Sequence, residues 1–478
     1  LADKNRFRET KIAPPRGIIQ DYFGKEIASN NKIYQLHVVP DGTPNIDSLF
    51  FRLKNIINLS DQKILLLKKK IQKKKSWDVT IVSDNLSWSE FSRVNLFLHE
   101  LQGIEPVISV ARSYTDNSSA HAIGYVSEIS ARDLKTKAYL KDLNIEGVAV
   151  GKTGLENSLD EQMLGTPGYL RYEVNVYGKK IKQVATDNGL RGKTFRTTLD
   201  QSIQKISTDA LQDVSGAVCV MDIYNGDIIS MVSSPNFNPN SFVHGVSHKE
   251  WNELNNNIDK PMLNKAIAGL YPPGSTIKTL TALSALENDI VSSKLIVKCE
   301  GFVDLHGERF HCWKKKGHGV VGMRTALKKS CDVYFYEVAR RLGIDKLSVT
   351  AKKFGLGQKV LKNFKEEKAG VVPDTKWKKR ELGNNWYLGE TLHSGIGQGY
   401  FLTTPLQLSL MTAQIANGGF KINPRILVDK NDKVGNLQNY LNHKNAAPGN
   451  VMSTNDQIYN FNLQPLFRNQ ENINLVKD

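Results

Sequence analysis

The stretch 216–235, GAVCVMDIYNGDIISMVSSP, constrains the fold most. Two β-branched runs flank Asn225-Gly226, and Asn-Gly between apolar runs is the strongest short-range signal for a β-hairpin. The texture then changes, to long segments of helical period followed by more strand-like sequence. Strands first and helices next predict an α+β domain on an antiparallel sheet. Upstream, to about residue 195, short β-branched runs (YQLHVV, WDVTIV, PVISVARSY, HAIGYVSEI, YEVNVYG) alternate with turn clusters. They predict a strand-rich, irregular module with helical insertions such as EFSRVNLFLHEL. Residues 187–204 read as a linker strand and a helix start, so the 478 residues are divided into 1–195 and 196–478. No internal repeat is evident.

Charge narrows the partners. Lys and Arg total 64 against 48 Asp and Glu, a net charge of +16. That balance suits nucleic acid, an anionic membrane surface or an anionic polymer. The densest cluster, LLLKKKIQKKK at 65–75, reads either as a binding patch or as the solvated face of a helix or loop. No Cys/His finger, RNA-recognition signature or basic heptad array is present, so nucleic acid is not the expected partner. No run approaches the ~18 apolar residues that span a bilayer. The chain opens at Leu1 in LADKNRFRET, as if an upstream segment had been removed.

Lys152-Thr153-Gly154 invites two readings. A phosphate loop needs Gly-x-x-x-x-Gly-Lys-Thr after a strand. Its first glycine would fall at Glu146, so that reading fails. The other is the third signature of a penicillin-recognising serine enzyme, which needs Ser-x-x-Lys and Ser-x-Asn/Asp as partners. In YPPGSTIKTLTALSALE (271–287), Ser275 opens a helix carrying Ile277, Leu280, Leu283 and Leu286 on one face, and Lys278 lies one turn on. A serine hydroxyl becomes a useful nucleophile only when a neighbour takes its proton, and a lysine amine can do so. Ser-x-x-Lys recurs at Ser29, Ser60 and Ser202, and the segment alone leaves an N-cap serine with a solvated lysine equally open. In ALKKSCDVYFYEVARRLG (326–343), Ser330 and Asp332 bracket one residue ahead of another apolar helix. Both elements, in order and each entering a helix, favour the enzyme.

On these residues the chain resembles the class B penicillin-binding proteins, specifically the penicillin-binding protein 2 group of the bacterial elongation machinery. APPRGIIQDYFGKEIA (13–28), HAIGYVSEIS (121–130) and GKTGLENSLDEQMLGTPG (151–168) resemble pedestal motifs of that family. The hairpin, YPPGSTIKT, SCDVYFYEVA and HSGIGQGYFLTTPLQL (393–408) resemble its transpeptidase segments, with Asp332 and GIGQGY favouring the elongation type. The resemblance implies an elongated strand-rich pedestal (dimerisation) domain, then a serine β-lactamase-like transpeptidase domain. It implies a D,D-transpeptidase that crosslinks peptidoglycan stem peptides and is acylated by β-lactams. Ser275 would be the nucleophile, Lys278 the general base, Ser330 a proton relay and Asp332 its positioning group. No cofactor is implied for catalysis. Implied partners are a SEDS-family glycosyltransferase and elongation-complex proteins, and the implied place is the periplasmic face of the inner membrane through an N-terminal anchor absent here. In the family the third motif follows the first two, so GKTG at 151–154 is expected to be a decoy whose glycines serve a turn. The true third motif is expected beyond residue 478, leaving an incomplete site. A non-catalytic scaffold, or a carboxypeptidase or β-lactamase-type hydrolase, remain the alternatives.

Of the four cysteines, Cys219 lies in an apolar strand and reads as core. Cys299, Cys312, His318 and Cys331 fall close together, and three thiols with an imidazole can complete a structural zinc site. A disulfide or a buried thiol beside an unrelated pair would leave the same pattern, and His306 and His311 are rival ligands. The segment from Cys312 to His318 resembles one that binds metal in some members of the same group. A zinc there would brace the loop bearing Ser330 and Asp332.

Overall fold

The computed structural model describes residues 7–76, 78–140, 145, 148–174, 180–361, 364–428 and 464–477. Trp77 of WDVTIV, the end of YEVNVYG, Glu146, the opening LADKNR and the final Asp478 lie outside the described residues. The chain divides into two compact units, Leu1–Phe195 with Phe237–Asn256, and Arg196–Asn236 with Asn257–Asp478. Among the described residues, no helix is long and apolar enough to cross a membrane.

In the first unit the long strand Glu26–Val38 pairs antiparallel with the whole of Ile104–Tyr114, from Ala28↔Tyr114 to Val38↔Ile104. Thr80–Leu86 and Ile19–Gln20 also pair with it. Helices Ile46–Ile56, Asp61–Gln72 and Trp88–Leu96 interrupt this sheet and bury Leu49, Phe50, Leu53, Leu67 and Val94 against Leu36, Val38 and Val82. Each begins on a side-chain cap, Asn45, Ser60 or Ser87, which satisfies otherwise orphan N–H groups. A second sheet joins Phe7–Ile12, Gly168–Val174 and Lys180–Asp187. HAIGYVSEI is not one strand: Ala120–Ile123 is a buried helical turn, and only Val126–Glu128 is extended. Gly124 forces the break, with φ +82° and a would-be Cβ 1.9 Å from the Thr153 carbonyl oxygen.

Phe237–Asn256, although it follows the hairpin in sequence, packs with the first unit for a definable reason. The Asn240 side chain both accepts from the Tyr114 N–H and donates to the Tyr114 carbonyl, each at 2.9 Å, as a strand partner would. Phe237 and Phe242 stack around Tyr125.

The segments 13–28 and 151–168 of the first unit are tied together by buried charge. Arg16 Nε lies 2.7 Å from Glu156, and Arg16 Nη1 lies 2.8 Å from Asp160. Arg112 adds a second 2.6 Å bond to Glu156, and Lys137 and Tyr139 each reach Asp160 at 2.7 Å. Burial would raise the Glu156 carboxyl, but Arg112 and Arg16 outweigh it and hold it below the usual range.

In the second unit strands Gly216–Met221 and Ile228–Ser234 pair antiparallel, as the sequence predicts, but not through a two-residue turn. Asp222 Oδ1 accepts from the N–H groups of Tyr224 and Asn225, and Gly226 sits at φ +79°, so the Asn-Gly pair closes a longer, Asx-capped loop. Cys219 is half-buried in the first of these strands, and burial pushes its thiol up to about 12.

Ile277, just ahead of helix Lys278–Glu287, and Leu280, Leu283 and Leu286 within it are buried at 6% exposure or less. The amphipathic expectation is too weak, because Thr281, Ala282, Ser284 and Ala285 are buried as well. A helix buried on all sides belongs at the centre of its core, and helices Asp332–Leu342 and Ile344–Lys353 contribute to the same cluster. Its internal hydroxyls are satisfied, Thr281 donating to the Gly395 carbonyl at 2.9 Å and Ser284 accepting from Thr350 at 2.8 Å.

Candidate active site

The loop that presents Ser275 is fixed by glycines. Gly274, at φ +57°, opens a 3-10 turn Gly274–Ile277, and Lys278 begins the α-helix proper. The Gly274 N–H donates to the Gly397 carbonyl at 2.9 Å. Gly397 itself is at φ +75°, and a Cβ there would lie 2.2 Å from the Gly274 oxygen. The GIGQG segment therefore acts as a backbone clamp on the serine loop. Gly397 in particular is needed for that close approach.

The four residues singled out in the sequence come together. Lys278 is 2% exposed, and its Nζ lies 2.6 Å from Asp332 Oδ1, 3.0 Å from Ser330 Oγ and 3.0 Å from the Ser330 carbonyl. Ser330 Oγ lies 2.9 Å from Ser275 Oγ. Lys278 thus reaches the exposed Ser275 through Ser330, not directly. Ser330 is a non-glycine residue at φ +49°, a strained backbone state that the surroundings must hold. They do so through Lys278, through the Cys331 N–H bonded to the Ala326 carbonyl at 2.9 Å, and through Trp313.

Trp313 was not singled out in the sequence. Its backbone N–H donates to Asp332 Oδ2 at 2.9 Å and its indole N–H to the Ser330 carbonyl at 3.0 Å, so both Asp332 oxygens are engaged. Its one sequence signal is its place directly after Cys312.

Cys299, Cys312, His318 and Cys331 are brought together, their ligand atoms all within 4.8 Å of one another. His318 Nδ1 lies 3.6 Å from Cys299 Sγ and 3.5 Å from Cys312 Sγ. Tetrahedral zinc with sulfur at about 2.3 Å and nitrogen at about 2.0 Å has S···N edges of about 3.5 Å, so the donor set fits that ion. His306 and His311 are not in the group, and none of the four cysteines is joined in a disulfide here. Burial, together with the thiols of Cys299 and Cys312, pushes Cys331 up to about 12. Burial and then Lys314 and Lys329 lower His318 from its ordinary value.

Lys152, in the apparent Lys-Thr-Gly signature, is instead ion-paired with Asp133 in the first unit. Gly154 is at φ +58°, and a Cβ on it would strike the Ile123–Gly124 backbone at 2.6 to 2.7 Å. These glycines serve close packing as well as a turn.

A serine at a helix start, joined through a second hydroxyl to a buried lysine–carboxylate pair, is a constellation able to carry acyl transfer. The comparisons agree in class. Residues 216–465 match the penicillin binding protein transpeptidase domain, and residues 11–197 match the penicillin-binding protein dimerisation domain. The chain belongs to the penicillin-binding protein transpeptidase family. It is 34% identical over 429 residues to the peptidoglycan D,D-transpeptidase MrdA of Acinetobacter baumannii, covering 89% of this chain and 64% of that protein. It is 33% identical over 439 residues to the Escherichia coli K12 protein of the same name, covering 89% and 68%. The chain therefore spans about two-thirds of these relatives. Among solved structures, penicillin-binding protein PBP2 from Helicobacter pylori, in complex with MreC, superposes with a TM-score of 0.78 at 30% identity, covering 89% of this chain and 79% of that one.

Proposed function

We propose that the chain is the acyl-transfer portion of an elongation-type peptidoglycan D,D-transpeptidase. The observation that carries this reading is the continuous hydrogen-bonded chain Ser275–Ser330–Lys278–Asp332. Hydroxyl hydrogens rotate, so the same oxygens can pass a proton in either direction. Ser275 Oγ attacks the carbonyl of the penultimate D-Ala of a stem peptide, and its proton passes through Ser330 to Lys278, which serves as general base once its amine has shed a proton. As the C–N bond to the terminal D-Ala breaks, that proton returns through Ser330 to the leaving nitrogen. The amine of a second stem then attacks the acyl-serine, forming the crosslink and restoring the Ser275 hydroxyl. Asp332 holds Lys278 and, through Trp313, the strained Ser330 backbone. A β-lactam would open on the same serine and leave it slowly.

A zinc held by Cys299, Cys312, His318 and Cys331 would fix the two segments that carry Trp313 and Ser330–Asp332, as a structural element with no step of the reaction on it. The peptidoglycan activity in the MrdA relatives' name is in keeping with the expected place at the periplasmic face of the inner membrane, and the H. pylori PBP2–MreC complex supports a protein partner of that kind, with a SEDS-family polymerase as the expected second one.

The test is intact-mass spectrometry after incubation with benzylpenicillin, followed by peptide mapping. The expected result is one adduct on the Ser275 peptide, absent in Ser275→Ala. No adduct, either on this chain or on one extended past residue 478, would sink the assignment.

A further inference from the structure

The lysine cluster at 65–75 takes no part in the site above, and its geometry in the first unit is specific. Helix Asp61–Gln72 buries Leu67 and half-buries Ile64 and Ile71, which sets its inward face. At about 100° per residue, Leu65, Leu66 and Lys69 point the other way, with Lys73 one turn beyond. Leu65 is 56% exposed and Leu66 66%, far more than large apolar side chains on a helix need be. Lys69, Lys70 and Lys73 are exposed, and among the described residues no carboxylate pairs with them.

The neighbouring helix Ile46–Ile56 extends the patch. Ion pairs Lys68–Asp47 and Lys54–Asp61 stitch the two helices at both ends of their seam. Phe51 falls between Asp47 and Lys54 on that same side of its helix, and it is 72% exposed. Asp47 and Asp61 are thus consumed within the seam, while three large apolar side chains face outward with Lys69 and Lys73, whose ammonium groups have no carboxylate partner among the described residues.

We infer that this two-helix face docks on the surface of an anionic phospholipid bilayer. An anionic polymer would be met by the amines alone and would gain nothing from bared Phe51, Leu65 and Leu66. A bilayer interface rewards both, because aliphatic and aromatic groups enter the headgroup–acyl boundary while lysines snorkel to the phosphates. The local charge is strongly positive, as such a surface requires, and the face is held by caps and ion pairs before any lipid arrives. It would set how the first unit lies against a membrane, independently of the acyl-transfer chemistry.

The test is co-sedimentation of this chain with vesicles of phosphatidylethanolamine and phosphatidylglycerol, and with vesicles of phosphatidylcholine alone. Binding is expected to the first and not the second, and to weaken with salt. Lys69→Glu/Lys73→Glu should weaken it by at least about five-fold per lysine. Leu65→Ser/Leu66→Ser should weaken it by roughly ten-fold at unchanged charge. A charge-matched control, Lys205→Glu/Lys294→Glu, should bind as the parent does. All these side chains point outward, so melting temperatures should stay with the parent's, and that is measured for each. Loss in the lysine variant with full binding in the leucine variant would overturn the bilayer reading in favour of a polyanion. Equal loss in the control variant, or binding to neither vesicle, would overturn it outright.

Discussion

Asp332→Asn is the sharpest perturbation of the site, because amides and carboxylates are often treated as interchangeable in this second motif. Here both oxygens accept, Oδ1 from Lys278 at 2.6 Å and Oδ2 from the Trp313 N–H at 2.9 Å. An asparagine has one acceptor, so either orientation sets its NH2 against a donor. Turned towards Lys278, it leaves a buried ammonium unpaired, which costs about 3–5 kcal/mol. Turned towards Trp313, it leaves a backbone N–H unsatisfied, which costs about 1–3 kcal/mol. The second is cheaper and should prevail, with the loss of the ion pair's charge added to it. A net loss of about 2 kcal/mol corresponds to a fall of roughly 4–8 °C in Tm for a domain of this size. If the same energy is lost from the positioned transition state, acylation slows by about 30-fold. Differential scanning calorimetry and the rate of labelling by a fluorescent penicillin read the two effects. A Tm within about 1 °C of the parent, with labelling unchanged, would show that Trp313 does not hold the carboxylate.

Gly397→Ala should be far worse for chemistry than for folding: the new Cβ meets the Gly274 carbonyl at 2.2 Å, and displacing the serine loop by about 1 Å costs up to ~100-fold in rate. Penicillin labelling at near-parental speed would argue against the clamp. Glu156 has its carboxyl held low in the folded state, so its contribution is complete above the unfolded value of about 4.3 and is lost as pH falls through the lowered folded value. Glu156→Gln should therefore lower Tm at pH about 7, by breaking a buried pair worth about 3–5 kcal/mol, and flatten the decline of Tm below pH about 4. An unchanged acid profile would remove Glu156 from the account. Elemental analysis should find about one zinc per chain, and strong chelation or His318→Ala should lower both Tm and penicillin labelling. Metal-free chain that labels and melts like the parent would exclude the structural role.

What could be read from the sequence tracks how local its physics is. Ser275, Lys278, Ser330 and Asp332 were visible because each pair sits within one helical turn and each pair opens a helix. The Cys/His group was visible as three of the four cysteines clustered with a histidine, and the fold brings His318, rather than His306 or His311, against two of the thiols. What stayed hidden involves the backbone. The N–H of Trp313 on Asp332 carries no side-chain signature, since any non-proline residue at position 313 would supply it. The strained φ of Ser330 is likewise silent, because serine gives no hint of a left-handed conformation. The indirect route from Lys278 to Ser275 depends on that same conformation, which turns the Ser330 hydroxyl between them. The Asn225-Gly226 signal was correct about direction and wrong about loop length, because Asp222, three residues earlier, captures the backbone first. The site thus has two layers. Side chains at helical spacing bring the reacting groups, and backbone donors with glycine contacts aim them. The second layer is where a substitution that looks conservative, such as Asp332→Asn, should do the most damage.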